Sequence, residues 1–181
     1  MGAGFRKLDE RTIHVGDRIT LGRATFAAPD GTTFERDVVH HPGAVGVVPV
    51  VDEGAAVLLV RQYRSSVEAE LLEIPAGLRD VEGEPPSETA RRELIEEVGM
   101  RAGRIEQICS FLNSPGFCDE VVHVFAAFDL EPCPLDRQGI EEAHMTIERV
   151  ALDDVPSMIA SGAIVDAKTV IGLTLVARLL D

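Results

Sequence analysis

Gly77-Leu78-Arg79-Asp80-Val81-Glu82-Gly83-Glu84-Pro85-Pro86-Ser87-Glu88-Thr89-Ala90-Arg91-Arg92-Glu93-Leu94-Ile95-Glu96-Glu97-Val98-Gly99-Met100 carries more information than any other stretch of this chain. Its second half reads as a short helix that begins near Pro85, since proline suits the first helical turn, where its missing N–H is not needed. Gly99 suits the position just past the helix end. Ala90, Leu94 and Val98 fall on one stripe, with Ile95 at its margin, and form the face expected to be buried. Glu93, Glu96 and Glu97 lie on a different side, at i, i+3 and i+4, beside Arg92. Like charges at that spacing repel by a few tenths of a kcal/mol per pair. A helix that stacks them next to a glycine turn is expected to hold a cation there. Carboxylate oxygens are hard ligands suited to Mg²⁺ or Mn²⁺, ions that keep several waters and bridge to phosphates. Arg92 cannot be a ligand but can orient a neighbouring carboxylate through a two-point pairing. Taken alone, the same charges also describe an ordinary solvated helix face.

Upstream of this helix, Ala44-Val45-Gly46-Val47-Val48-Pro49-Val50-Val51 is an almost unbroken apolar run, as in a strand buried on both faces. Asp52-Glu53-Gly54 turns the chain, and residues 55–63 form a second buried strand that ends in Arg61-Gln62-Tyr63-Arg64. A short strand over Leu71 to Gly77 stops at Pro75 and Gly77. Downstream, strands are expected at about 105–112, 120–128 and 146–151, a polar segment at 132–139, and a short helix at 155–161. Asp166 reads as the N-cap of an amphipathic helix that ends at Leu180. Helices occur singly among strands, without βαβ alternation, which favours a mixed sheet covered by helices over a doubly wound parallel fold. Before residue 43 the pattern differs. Strands at 18–26 and 32–39 flank the turn Pro29-Asp30-Gly31. A hairpin alone is marginal, so this arm must pack on the main domain or on another subunit. The expected division is a β arm over 1–42 and a main domain over 43–181.

The bulk composition narrows the function classes. With 181 residues, of which 45% are apolar, the chain can bury a substantial core. A formal net charge of −14 repels polyanions, so no nucleic-acid partner is expected. An anionic substrate then requires a divalent metal or local arginines to offset the repulsion. The three cysteines, Cys109, Cys118 and Cys133, show neither zinc-site nor redox-pair spacing, and reduced thiols fit a cytoplasmic location. No apolar run approaches the ~18 residues of a membrane span, and the first residues have no signal-peptide core, so no membrane association is expected. The five histidines show no ligand spacing. Aromatic residues are only 4% of the chain, with no tryptophan. A base to be stacked must therefore rely on Tyr63, Phe117 or an arm residue such as Ile19, while Phe26 and Phe34 read as hairpin core.

Gly77, Glu84, Arg92, Glu93, Leu94, Glu96, Glu97, Gly99 and Met100 together resemble the Nudix box, G-x5-E-x7-R-E-U-x-E-E-x-G-U with U aliphatic. From Glu84 to Met100 the spacing matches throughout; from Gly77 to Glu84 it is one residue too long, and the extra residue falls in the loop before the helix. Arg61-Gln62-Tyr63-Arg64, Glu73-Ile74-Pro75-Ala76-Gly77, Ser114-Pro115-Gly116-Phe117 and the 139–146 segment are similar to the ADP-ribose pyrophosphatase subfamily, so the likeness covers residues 11 to 178. The resemblance implies an α/β class fold, an α/β/α sandwich around a mixed β-sheet with an N-terminal antiparallel arm. It implies Mg²⁺-dependent hydrolysis of a nucleoside diphosphate sugar, with Mn²⁺ as a substitute; for ADP-ribose the products are AMP and ribose 5-phosphate. Glu93 and Glu97 become the main metal ligands, helped by Glu96 and the Ala76 carbonyl. Glu142 becomes the general base, with Glu141 second, and Arg92 and Glu96 complete the catalytic set. Position alone would make both loop glutamates ordinary solvated residues. Arg64 and Arg61 are candidates for phosphate, Glu73 for adenine or ribose or for a pairing with an arginine, and Gly116 and Glu120 for the terminal ribose. In this subfamily the N-terminal strands exchange within a homodimer. Alternatives are hydrolysis of other nucleoside diphosphate sugars, or a non-catalytic nucleotide sensor, which would be expected to lack some of these carboxylates.

Overall fold

A computed structural model of the chain describes residues 4–137 and 139–180, with the side chain of Glu141 left out of the description. The elements in chain order are β1 (Arg6–Val15), β2 (Thr20–Ala27), β3 (Thr33–His40), β4 (Ala44–Val51), β5 (Ala56–Arg64), β6 (Ala69–Glu73), β7 (Ala76–Leu78), α1 (Pro86–Val98), β8 (Met100–Leu112), β9 (Val121–Pro132), α2 (Ile140–Ala143), β10 (Thr146–Ala151), α3 (Val155–Ala160) and α4 (Ala167–Leu180). The chain divides into two units, one of residues 1–43 and 112–121, the other of residues 44–111 and 122–181.

The first unit contains an antiparallel sheet in the order β1-β2-β3. The expected hairpin is β2–β3. At its turn Thr32 N–H donates to the Asp30 side chain at 2.9 Å, and Gly31 takes φ 86°, a left-handed conformation that glycine adopts without strain. Phe26 and Phe34 are cross-strand partners whose rings stack at 5.6 Å, and Arg23 pairs with Asp37 at 2.7 Å in the same register. The sequence places this segment in the β arm but marks no separate strand for β1, because Arg6-Lys7-Leu8-Asp9-Glu10-Arg11-Thr12-Ile13-His14-Val15 is charged and almost wholly exposed, leaving no buried face to alternate with. Residues 112–121 join this unit through backbone bonds from Val39 N–H to Phe117 C=O at 2.7 Å and from Asp119 N–H to Val39 C=O at 3.1 Å.

The second unit is built on a mixed sheet in the order β10-β5-β4-β9-β8, with β6 paired to β5 and β7 to β4. β4 runs parallel to β9 and antiparallel to β5 and β7. The apolar run that defines β4 is buried on both faces because helices cover both. Val45 and Val47 pack in one cluster with Ala90, Leu94 and Val98 of α1, while Val48 and Val50 pack in a second with Leu173 and Val176 of α4. The stripe expected on α1 is thus its buried face. Each such valine or leucine removed from water contributes about 1.5–3 kcal/mol. α4 lies close on the sheet because Gly172 has no side chain; a Cβ there would meet Val48 at 3.0 Å and Val124 at 3.2 Å. The single strand expected over Leu71–Gly77 is two, β6 and β7. They are separated at Ile74-Pro75, where Pro75 C=O accepts Val47 N–H at 2.8 Å. This layering is the expected α/β/α sandwich around a mixed sheet, and it carries α1 and β7 side by side.

Candidate active site

α1 begins after Pro85, which is extended at φ −62° and ψ 142°, and ends at Gly99 in the left-handed conformation at φ 64°. Gly99 N–H closes the helix on Ile95 C=O at 3.0 Å. These two stops fix the length of the helix, and the packing of Ala90, Leu94 and Val98 on β4 fixes which side faces β7. Contrary to the picture of a solvated acidic face, Glu93 is 5% and Glu97 2% exposed. Glu97 accepts a hydrogen bond from Ala76 N–H at 2.9 Å. Gly77 makes the close approach possible, since a Cβ on it would overlap the Glu93 carboxylate. Burial raises both acids, Glu93 to about 7 and Glu97 to about 8, against an ordinary value of 4.5. Arg92 opposes the shift at Glu93 and the Ala76 N–H opposes it at Glu97, while neighbouring carboxylates add to both.

Arg92 lies at the centre of the acidic group. One of its amino nitrogens, Nη1, stands 2.8 Å from Glu93 and 3.0 Å from Glu96, and Nη2 is 3.8 Å from both Asp80 and Glu84. Its Nε and Nη2 are buried without a hydrogen-bond partner among the described residues. Glu84 accepts the Thr89 hydroxyl at 2.7 Å. Glu142, on α2, adds negative potential at Glu93, Glu96 and Glu97 alike, and Asp136 does so at Glu96. The polar segment after β9 therefore returns to the carboxylate face of α1, within the second unit. The arrangement is an excess of buried negative charge that protons or a cation must offset.

Comparison with known proteins identifies the frame of this site. The family model described as NUDIX domain matches residues 40–170, which include every residue just named. The chain belongs to the NUDIX domain family. It is 39% identical over 170 residues to the ADP-ribose pyrophosphatase of Bacillus subtilis (strain 168), covering 91% of each chain. It is 37% identical over 169 residues to the ADP-ribose pyrophosphatase of Mycobacterium tuberculosis (strain ATCC 25618 / H37Rv), covering 93% of this chain and 81% of the relative. A crystal structure titled ADP compounds hydrolase superposes with a TM-score of 0.86 at 24% identity, covering 98% of this chain and 95% of that one, a likeness of fold.

Within the NUDIX domain, the donor set fits a divalent cation in chemistry. Glu93, Glu96 and Glu97 offer hard oxygens, and the desolvation that raises Glu93 and Glu97 is what a bound cation would relieve. Among the described residues, no three acidic, histidine or cysteine side chains already converge at metal-holding distance. Glu93 and Glu96 turn to Arg92, and Glu97 to Ala76 N–H. Of Ala76, it is the N–H that the structure brings to this cluster.

The substrate candidates separate by unit. In the second, Arg64 and Glu73 are partners of each other, in a two-point pairing at 2.8 and 2.6 Å, and Arg61 pairs with Glu148 at 2.5 and 3.2 Å. Lys168 also donates to Glu73. The sequence reading passed over Lys168, although its place in Asp166-Ala167-Lys168-Thr169, at the start of a helix whose cap was legible, was the available signal. In the first unit Glu120 lies 3.4 Å from His41 and accepts from Asn113 at 3.0 Å, and Gly116 sits in an exposed loop. That loop lines a cavity of about 430 Å³ together with Phe26, Phe34 and Phe117. The role expected of Glu141 concerns a side chain outside the described residues.

Proposed function

We propose that the chain is a Mg²⁺-dependent hydrolase that cleaves the diphosphate of ADP-ribose to AMP and ribose 5-phosphate. The observation that carries this reading is the buried carboxylate pair Glu93 and Glu97, closed in by Gly77 and placed under the negative potential of Glu142. The 39% and 37% identical relatives named ADP-ribose pyrophosphatase support the choice of substrate. When bound, Mg²⁺ or Mn²⁺ supplies charge neutralisation and polarises the diphosphate. Glu93 and Glu97 hold the ion, Glu96 assists, and the Ala76 carbonyl remains a candidate ligand. Arg92 keeps Glu93 and Glu96 aimed inward. Glu142 orients a water and takes its proton as the oxygen attacks one phosphorus in line; the bridging P–O bond breaks and its electron pair leaves with the departing phosphate. Glu141 is the second choice for that role. Arg64 holds phosphate oxygens, with Arg61 the second candidate, and Glu73 orders Arg64; Gly116 and Glu120 are the residues we propose for the terminal ribose.

The reading extends to a cytoplasmic homodimer whose N-terminal arms are exchanged. The cysteines are free thiols, and no helix of the described residues is long and apolar enough to cross a membrane. Purified protein assayed for AMP from a panel of nucleoside diphosphate sugars, with and without Mg²⁺, tests the core claim. ADP-ribose is expected to lead the panel, and Glu93→Gln to remove most turnover. Activity that survives both chelation and that substitution refutes the mechanism.

A further inference from the structure

Glu73 is 1% exposed and two cations share its carboxylate. Arg64 occupies both oxygens, Nε at 2.8 Å and Nη2 at 2.6 Å, and Lys168 donates to the same Oε2 as Nη2. Lys168 in turn stands 3.0 Å from Asp166. Asp166 caps α4, accepting from the Thr169 N–H at 2.9 Å and from its hydroxyl at 2.5 Å. The Thr169 hydroxyl oxygen accepts the N–H of Ile74, the residue after Glu73, at 2.9 Å. Glu73 is therefore held twice from α4, by its own carboxylate through Lys168 and by the adjoining backbone through Thr169.

A pairing with Arg64 alone would already neutralise Glu73. Drawing in a second cation, itself 13% exposed, and a second acid costs further desolvation. Buried ion networks of this kind seldom add stability over apolar packing of the same volume. What the network does supply is orientation. With Nε and Nη2 fixed, the planar guanidinium of Arg64 has one allowed pose, and Nη1 is not among the atoms that Glu73 occupies. The charges of Arg64 and Glu97 also act on one another, so this guanidinium lies within electrostatic reach of the carboxylates of α1.

We infer that Lys168 is a positioning residue: with Asp166 and Thr169 it locks Glu73, and through Glu73 it presents Arg64 in a single orientation to the anionic diphosphate. This deepens the proposed function and rests on its assignment of Arg64 to a phosphate.

Lys168→Met keeps most of the side-chain stem and removes the charge. The test is a double-mutant cycle with Arg64→Met, read by KM and kcat for ADP-ribose at saturating Mg²⁺. It is combined with hydrogen exchange of the Arg64 Nε–H by NMR in the substrate-free protein. Lys168→Met is expected to raise KM about tenfold with kcat within about twofold, to have no further effect in the Arg64→Met background, and to be rescued in part by Lys168→Arg. Exchange at the Arg64 Nε–H is expected to quicken about tenfold, because its acceptor has lost a restraint. Additive KM effects, or an unchanged Arg64 exchange rate, would overturn the inference, as would a loss confined to thermal stability. If the wild-type protein cleaves no nucleoside diphosphate sugar, the functional reading fails by itself. ADP binding by calorimetry then replaces KM in the same cycle, and the exchange rate still decides the role of Lys168.

Discussion

Glu97 offers the sharpest test of the electrostatics, because its charge is expected to work against folding. Burial raises its pKa from 4.5 to about 8. A carboxylate whose pKa is higher in the folded state binds more protons folded than unfolded over that interval. The metal-free protein should therefore be most stable, as far as this group is concerned, below about pH 4.5, and should lose stability as the pH climbs through 8. At about 1.4 kcal/mol per unit, the loss is roughly 3–5 kcal/mol, overlapping with a smaller one from Glu93, since the two acids feel each other. Glu97→Gln keeps an oxygen for the Ala76 N–H and cannot ionise, so it should abolish Glu97's share of the loss. The assay is denaturant or thermal unfolding of both proteins in chelator between pH 5 and 9. Near pH 5 their stabilities should be close; at pH 9 the variant should unfold roughly 10 °C higher. Groups that do not interact with Glu97 titrate alike in both proteins and cancel in the difference, whereas Glu93, relieved of a neighbouring charge in the variant, adds to it. Mg²⁺ should stabilise the wild-type protein increasingly as pH rises and the variant far less, since the ion binds the ionised form. Parallel pH profiles in chelator for the two proteins would refute the reasoning, because Glu97 would then have no unusual proton affinity.

Other outcomes follow from particular contacts. Gly77→Ala puts a methyl group where the Glu93 carboxylate lies, so kcat/KM should fall by about tenfold or more and half-saturation by Mg²⁺ should rise, measured by steady-state kinetics across metal concentrations. Glu142→Gln should lower kcat by about 100-fold with little change in KM; near-normal turnover would move the role of base to Glu141 or to α1. Leu94→Ala, at a site with 0% exposure, should cost about 2–5 kcal/mol in urea unfolding. Light scattering should report a dimer, and a monomer would contradict the exchanged-arm reading.

The spacing within α1 was legible because each of its marks is local. A proline start, a glycine stop and a three-residue apolar stripe depend only on helical periodicity, and Val98 and Gly99 end the helix where the pattern places the end. The apolar run of β4 likewise announced a strand covered on both faces. β1 was not legible, since an exposed, charged strand is held by backbone pairing that leaves no trace in its side chains. The separation of β6 from β7 depended on how Pro75 meets Val47, a contact between distant residues.

The amino-acid order by itself therefore determined that three glutamates share one side of a helix, because helical geometry is a property of neighbours in the chain. Whether that side met water or protein was decided only in three dimensions. Packing α1 against β7 buried Glu93 and Glu97 and raised their proton affinity, and Glu142, from another segment, adds its negative potential there. On the other face of the sheet, the packing of α4 joined Lys168 to Glu73 across 95 residues of chain. Desolvation and long-range pairing arise from surfaces coming together, and no local pattern encodes them.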